Sequence, residues 1–405
     1  MRIRAIEDFH ADAGWRTLSF LKVTTNSGLI GWSEYNEGYG SRGLTAVIHA
    51  IGETLIGEDP RQVEQISATL YAKTRQAPGG INAQAIAALE NALLDIKGKS
   101  VGLPVSALFG GRVRDRLPLY WSHCGSRRVR SAALLGKTAP ACLEDIEALG
   151  AEVRERGFRA LKANIVRFGE SGPPTVHMPG FGTGEEHPQL NALPRLAEDA
   201  ASLMRAFRQG AGSDAELMLD LNFNFKPEGY LKLLRALEPV GLAWAEIDLY
   251  DPVALARIRQ AVSTPIASGE SLFGRRAYRP FFEAGAMDVA IIDVLWNGLI
   301  ESYKIAAMAD AFEVNVAPHN FYGPLAMLVS GHFCSMIPNF RIMEMDVDEV
   351  PWIDTFITHP ITIQSGSLHV PTAPGWGADV NEDAVRSRPP KESARSVLMP
   401  TAKSS

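Results

Sequence analysis

The sequence predicts an α/β chain: a barrel of alternating strands and helices, preceded by a small α+β module. Three observations carry this. From Leu117 onward short apolar runs alternate with helical patterns, giving eight strand candidates over roughly 230 residues, the size and rhythm of a (β/α)-barrel. Before that point, residues 1–36 read as strands and 44–105 as helices, which suits a separate α+β module. Within the second region, the strand ends carry polar residues at a regular interval. A doubly wound sheet is the structural alternative, but no Gly-x-Gly-x-x-Gly follows the first strand to support it.

In chain order, 3–9, 17–25 and 29–35 alternate as strands, the last two joined by Asn26-Ser27-Gly28 in a hairpin pattern. Between the first two lies a polar loop with a Gly hinge, His10 to Arg16, containing Trp15. In the last helix before Gly110-Gly111, Ile86, Leu89, Leu93 and Ile96 mark one face at spacings of three and four. The barrel strands are expected at 119–123, 160–166, 217–221, 243–247, 265–268, 289–293, 314–317 and 341–345. Residues 169–189, rich in Gly and Pro, read as a mobile insertion whose His177 and His187 are solvated rather than metal-bound. Two short strands, 361–364 and 367–370, follow, and the last dozen residues are polar and expected to fray. The domains are therefore drawn at 1–116, 117–357 and 358–405.

Composition excludes several function classes. Of 405 residues 46% are hydrophobic and 21% charged, as in ordinary globular proteins. The net charge of −6 argues against a nucleic-acid partner. Cys124, Cys142 and Cys334 are odd in number and far apart, so reduced thiols in a cytoplasmic protein are expected rather than a disulfide framework. No leader and no membrane span are expected, because no apolar run is long enough.

The chemistry lies in the strand ends. Leu217–Asn222 is an apolar run that closes on Asp220 and, two residues on, Asn222. The same event recurs at Lys162 and Asn164, Glu246, Glu270, Asp293, His319 and Glu344. From Asp220 onward each polar residue follows the last by roughly 25 residues, one strand plus one helix plus loops. Asp220, Glu246 and Glu270 thus fall on three consecutive strands at one mouth. Three facing carboxylates do not all stay ionised without a cation among them. Oxygen donors alone point to Mg²⁺, with Mn²⁺ as the alternative. Asp293, one strand before His319, can fix its tautomer and raise the pKa of the other nitrogen, making a general acid/base pair.

At these residues the chain resembles the enolase superfamily, in its mandelate racemase/muconate lactonizing enzyme branch. The resemblance covers nearly the whole length, including Ala92-Leu-Leu-Asp-Ile-Lys-Gly-Lys99, Leu108-Phe-Gly-Gly111, the Gly-Glu at Glu270 and the Pro-His at His319. It implies a (β/α)7β TIM-like barrel under an α+β capping domain built from the N-terminal segment and the C-terminal tail. It implies Asp220, Glu246 and Glu270 as metal ligands, His319 and Asp293 as the dyad, and Glu344 as the acid that hydrogen-bonds the substrate carboxylate. Lys162, the first lysine of a Lys-x-Lys strand, is implied to stabilise the enediolate formed when a proton α to a carboxylate is removed. The His10–Thr17 loop is implied to close as a lid. A homo-oligomer, dimer or octamer, is implied as well.

The second lysine of that strand is Asn164, and an amide takes no proton. With His319 alone the economical chemistry is β-elimination, giving a dehydratase of an acid sugar (aldonate or aldarate) that yields a 2-keto-3-deoxy acid. A racemase or epimerase using Lys162 as second base, and a non-catalytic scaffold, are the alternatives. Asn164, Asn222, Trp15 and Arg16 are expected to touch substrate, with Tyr39, Asn224 and Tyr322 as further contacts.

Overall fold

The computed structural model describes residues 1–38, 41–169, 172–182 and 186–391. Tyr39 and the polar tail after Lys391 lie outside the described residues.

The cap begins with β1 (Ile3–Asp12), β2 (Thr17–Thr25) and β3 (Ile30–Tyr35) in one antiparallel sheet. Gly28 turns the β2–β3 hairpin at φ 86°, where a side chain would be strained. Three helices follow: α1 (Leu44–Gly52), α2 (Val63–Thr74) and α3 (Gly80–Val101). Leu89, Leu93 and Ile96 of α3 are buried, as their spacing predicts, while Ile86 is only partly covered. Helix α3 also buries Glu90, Asn91 and Asp95, because it is wedged between the cap sheet and the second domain. A Cβ at Gly31 of β3 would sit 2.1 Å from the Ala92 carbonyl, so the sheet approaches α3 as closely as backbone allows.

The chain then enters β4 (Arg116–Ser122), α4 (Ser126–Leu135), α5 (Leu143–Glu155) and β5 (Ala160–Ala163). A small hairpin, β6 (Val166–Arg167) with β7 (Thr175–Val176), opens the insertion. Next come α6 (Leu196–Ala211), β8 (Glu216–Asp220), α7 (Pro227–Leu237), β9 (Trp244–Glu246) and α8 (Pro252–Gln260). Helix α8 starts where Asp251 accepts the Val253 and Ala254 N–H groups and Pro252 takes the first turn. The series ends with β10 (Ile266–Ser268), α9 (Gly274–Glu283), β11 (Val289–Asp293), α10 (Val294–Asn297), α11 (Leu299–Ala311), β12 (Asn315–His319), α12 (Pro324–Met336) and β13 (Met343–Asp346).

Parallel pairing runs β4-β5-β8-β9-β10-β11-β12, and β13 pairs back onto β4. Val316 of β12 bonds both Asn339 and Arg341, on the approach to β13, so the eight strands follow one another round a TIM-like barrel. No α-helix follows β13 before the tail, which gives the (β/α)7β count. Tyr120, Ala160, Met218, Trp244, Ile291, Ala317 and Ile342 fill the barrel interior. Because side chains alternate along a strand, the residues two further on also face inward, at the C-terminal rim. Those residues are Ser122, Lys162, Asp220, Glu246, Asp293, His319 and Glu344.

One expectation needs correction, and the path of the tail gains a detail. In its described part the insertion is docked rather than free: Gly180 N–H donates to Asn224 Oδ1, and His177 is buried and stacked on Phe225 at 5.6 Å. Only His187 is solvated. The tail strands β14 (Ile363–Gln364) and β15 (Ser367–His369) first pair with the barrel, Leu368 opposite Leu117. The chain then returns to the cap: Trp376 Nε1 donates to the Trp32 carbonyl, and α13 (Glu382–Arg386) reaches β2 through Glu382 and Lys22.

Candidate active site

Asp220 and Glu246 end adjacent strands in direct register, and Glu270 follows Gly269, whose φ of 115° turns the chain just past β10. Lys162 lies among the acids. Its Nζ is 2.8 Å from Glu246 Oε2, 3.1 Å from Glu344 Oε1 and 3.5 Å from Asp220 Oδ2. Burial pulls its pKa down, but the charges of Glu246 and Glu344 outweigh this and hold the ammonium well above its ordinary range. Burial pushes Glu246 up to about 8, and Asp220 and Glu270 add to the push against the pull of Lys162. Burial raises Glu270 too, against the pull of His319 and Lys162 and with the help of Asp220 and Glu344.

Among the described residues, no three His, Cys, Asp or Glu side chains are set to ligate an ion as they stand. Of the expected carboxylate triad, Asp220 and Glu246 are drawn to the Lys162 ammonium, while Glu270 faces His319 instead. The triad's chemistry fits a hard divalent cation all the same. All three donors are carboxylates, Glu246 Oε1 is buried with no hydrogen-bond partner, and the acids repel one another. Asp248, two residues past Glu246, is buried with neither oxygen partnered, and is a fourth acid that sequence reasoning missed.

His319 faces this cluster. Its Nδ1 is 2.6 Å from Asp293 Oδ2 and its Nε2 is 3.5 Å from Glu270 Oε2. Asp293 is fully used: Oδ1 accepts the Trp296 N–H at 2.8 Å, and Oδ2 also accepts the Tyr322 hydroxyl. Burial disfavours the imidazolium, yet Glu270 and Asp293 raise His319 to about 10. Trp296, Phe321 and Tyr322 surround the ring at centroid distances of 4.9–5.6 Å.

Residues 145–384 match the enolase C-terminal domain-like family, and residues 11–110 match the mandelate racemase/muconate lactonizing enzyme N-terminal domain. The chain belongs to the mandelate racemase/muconate lactonizing enzyme branch of the enolase superfamily. It is 29% identical over 395 residues to a D-galactonate dehydratase of Variovorax paradoxus, covering 95% of this chain and 94% of that one. A Burkholderia xenovorans protein assigned as an L-alanine-DL-glutamate epimerase is 45% identical, with a TM-score of 0.94 over 97% of this chain and 99% of that one. The same relative has been solved bound to magnesium and fumarate. An Agrobacterium radiobacter enolase assigned as a galactarate dehydratase, bound to sodium and L-malate, is 26% identical with a TM-score of 0.80, over 96% and 95% of the two chains.

Against that family pattern, Asn164 replaces a lysine and is held by the Ser126 hydroxyl at 2.8 Å and by Asn222 at 3.4 Å. Asn222 sits at φ 43° with its N–H on Asp220 Oδ1, so it orients an acid of the cluster. Glu344 is already engaged by Lys162, by the Ser122 hydroxyl at 2.5 Å and by the Asn320 N–H at 2.6 Å. Burial raises its pKa, but Lys162 and His319 bring it down to about 2. Lys162 thus favours its ionised form, and the two side chains lie in contact. Trp15 and Arg16 are buried. Arg16 stacks on Trp15 at 4.2 Å and donates to the Tyr322 carbonyl and to Glu349, tying the cap loop to the dyad's own support. Asn224 serves the docked insertion. His123, Arg127 and Asp346 were not singled out from the sequence. The signal was there, since His123 closes the first predicted barrel strand and Asp346 lies two residues past Glu344 on the same face.

Proposed function

We propose that this enzyme, a hydro-lyase, dehydrates a sugar acid, an aldonate or aldarate, to a 2-keto-3-deoxy acid. The observation that carries this reading is the His319–Asp293 pair facing the Lys162–carboxylate cluster across one barrel mouth. The dehydratases among the relatives support the substrate class. His319 takes the proton from the carbon α to the substrate carboxylate, through the Nε2 that its bond to Asp293 leaves available. The fixed ammonium of Lys162 faces the negative charge that develops on the substrate, and needs no reorganisation to do so. Asp220, Glu246 and Glu270 would hold Mg²⁺ or Mn²⁺, which when bound supplies Lewis-acid polarisation of the carboxylate. Trp15 and Arg16 exclude water from above. Lys162 is poorly placed to be a racemase's second base, since three carboxylates hold its proton.

The test is purified protein with Mg²⁺ against a set of aldonates and aldarates, read as 2-keto acid with semicarbazide. A keto acid from one of them is the expected result. The 45% identity to a protein assigned as an epimerase gives the second reading its footing. Exchange of the α-proton with D₂O and no keto acid would replace dehydration with epimerisation.

A further inference from the structure

Strand β4 ends at Ser122, and the next residue, His123, takes φ 50°, a left-handed conformation that non-glycine residues adopt rarely and that recurs at functional sites. Its Nδ1 lies 2.8 Å from Oδ1 of Asp346 on β13, the strand paired with β4. The other Asp346 oxygen accepts Arg127 Nη2 at 3.1 Å. This repeats the arrangement of His319, whose Nδ1 is tied to Asp293 on the strand paired with its own. In both, an imidazole is bound through Nδ1 to a buried acid, the acid is held by a second donor, and Nε2 is the nitrogen that this bond leaves available. The two imidazoles flank one ring, Phe321, at 6.1 Å for His123 and 4.9 Å for His319. His123 remains partly open, with 20% of its side chain exposed against 2% for Asp346. Its neighbour Ser122 donates to Glu344, which holds Lys162, so the second pair borders the reacting region.

We propose that His123, oriented by Asp346, is a second catalytic acid/base that protonates the departing β-hydroxyl. The assignment rests on the dehydration reading. Hydroxide leaves poorly without a proton, and the amides of Asn164 and Asn222 have none to give. In the balanced step His319 takes the proton from C2, and the electrons of that C–H bond form the C2–C3 double bond. The C3–O bond breaks, and the oxygen leaves as water with the His123 proton. The resulting enol ketonises: C3 takes the proton held by His319 and the enol O–H returns one to His123, so both imidazoles are restored. Charged groups about the His123–Asp346 pair include Glu344 from β13, Arg127 from α4 and, on the Asp346 side, Arg16 from the cap loop.

The test uses the sugar acid identified by the keto-acid screen and its 3-deoxy-3-fluoro counterpart, whose fluoride leaves without a proton. In His123→Asn, keto-acid formation from the hydroxy acid should fall on the order of 10²-fold or more. Exchange of the C2 proton with D₂O should persist, and elimination from the fluoro acid should stay near the wild-type rate. Hydroxy-acid turnover within a few-fold of wild type would overturn the assignment, as would equal losses on both substrates at an unchanged melting temperature. Should the variant not fold, the wild-type pH profile decides. The alkaline limb that a general acid imposes should appear with the hydroxy acid and be absent with the fluoro acid, and identical profiles would sink the idea. Wild type that exchanges the α-proton but yields no keto acid would remove the dehydration reading itself, and this role with it.

Discussion

One group of buried carboxylates lies at the seam between cap and barrel, and another lies at the barrel mouth. At the seam, Glu34 accepts the Gly323 and Ala326 N–H groups at 2.6 and 3.0 Å, at the start of α12. Glu90 accepts the Ile300 N–H and the Ser67 hydroxyl. Asp95 accepts the Trp32 and Trp376 N–H groups and pairs with Lys99 at 2.6 Å. Every oxygen of these three acids has a partner. At the mouth, Glu246 Oε1 and both oxygens of Asp248 have none. Burial does not separate the two sets, and neither does pKa, since burial lifts Glu34 to about 7 and Glu246 to about 8 alike. What separates them is unused acceptor capacity among like charges. A fold has no reason to keep that, and a cation site does.

The sharpest way to break the contrast is to neutralise one acid from each set. Glu246→Gln should cost turnover on the order of 10³-fold and weaken Mg²⁺ binding in a calorimetric titration. Its melting temperature should hold or rise, because one of several mutually repelling charges is gone while Lys162 keeps Glu344 and Asp220. A variant that lost stability and kept activity would belong with the seam.

How much of this was legible follows the same division. The barrel strands were readable because each is a short apolar run closed by a polar residue, and β11 falls on its predicted bounds. The inward placement of Asp220, Glu246, Asp293, His319 and Glu344 follows from the period of two. Partnerships across the barrel were not readable. Nothing in the local pattern at Lys162 says that three acids share it. His177 reads as solvated because its shelter, Phe225, comes from a different strand end. The tail's pairing with β4 joins residues far apart in the chain, and its polar alternation does not say which edge it will meet.

The seam should fail in the opposite sense. Asp95→Ala leaves Lys99 half-paired and strips the Trp32 and Trp376 N–H groups of their acceptor, so it should destabilise by about 3 kcal/mol. Denaturant melts would show this, with the Mg²⁺ affinity of the folded fraction unchanged. A smaller test lies in His319. Without a cation, Glu270 and Asp293 keep its imidazole protonated to about 10. Added Mg²⁺ should lower that value in an NMR titration, since a neutralised Glu270 no longer supports the imidazolium. A value indifferent to Mg²⁺ would detach Glu270 from the cation site.

The smallest effect is the most specific to the seam. Glu34 keeps its proton to about 7 in the folded protein, against an ordinary value of 4.5. The native state therefore binds this proton more tightly than the unfolded chain does. The stability it contributes is complete below about 4.5 and is lost as pH rises through 7. Glu90, raised to about 7, and Asp95, raised to about 6, act in the same direction, so the wild-type melting temperature should decline across that window. Glu34→Gln removes one of the three contributions. At pH 4.5 the amide should cost ~1 kcal/mol, because its NH₂ faces backbone donors where a carboxyl oxygen had accepted. At pH 8 the wild type carries a buried charge that the variant lacks, so the cost should shrink or reverse. Urea melts at the two pH values measure the difference directly. Parallel profiles would mean that the α12 N–H groups already compensate the Glu34 charge in full, and that seam and mouth differ in geometry alone.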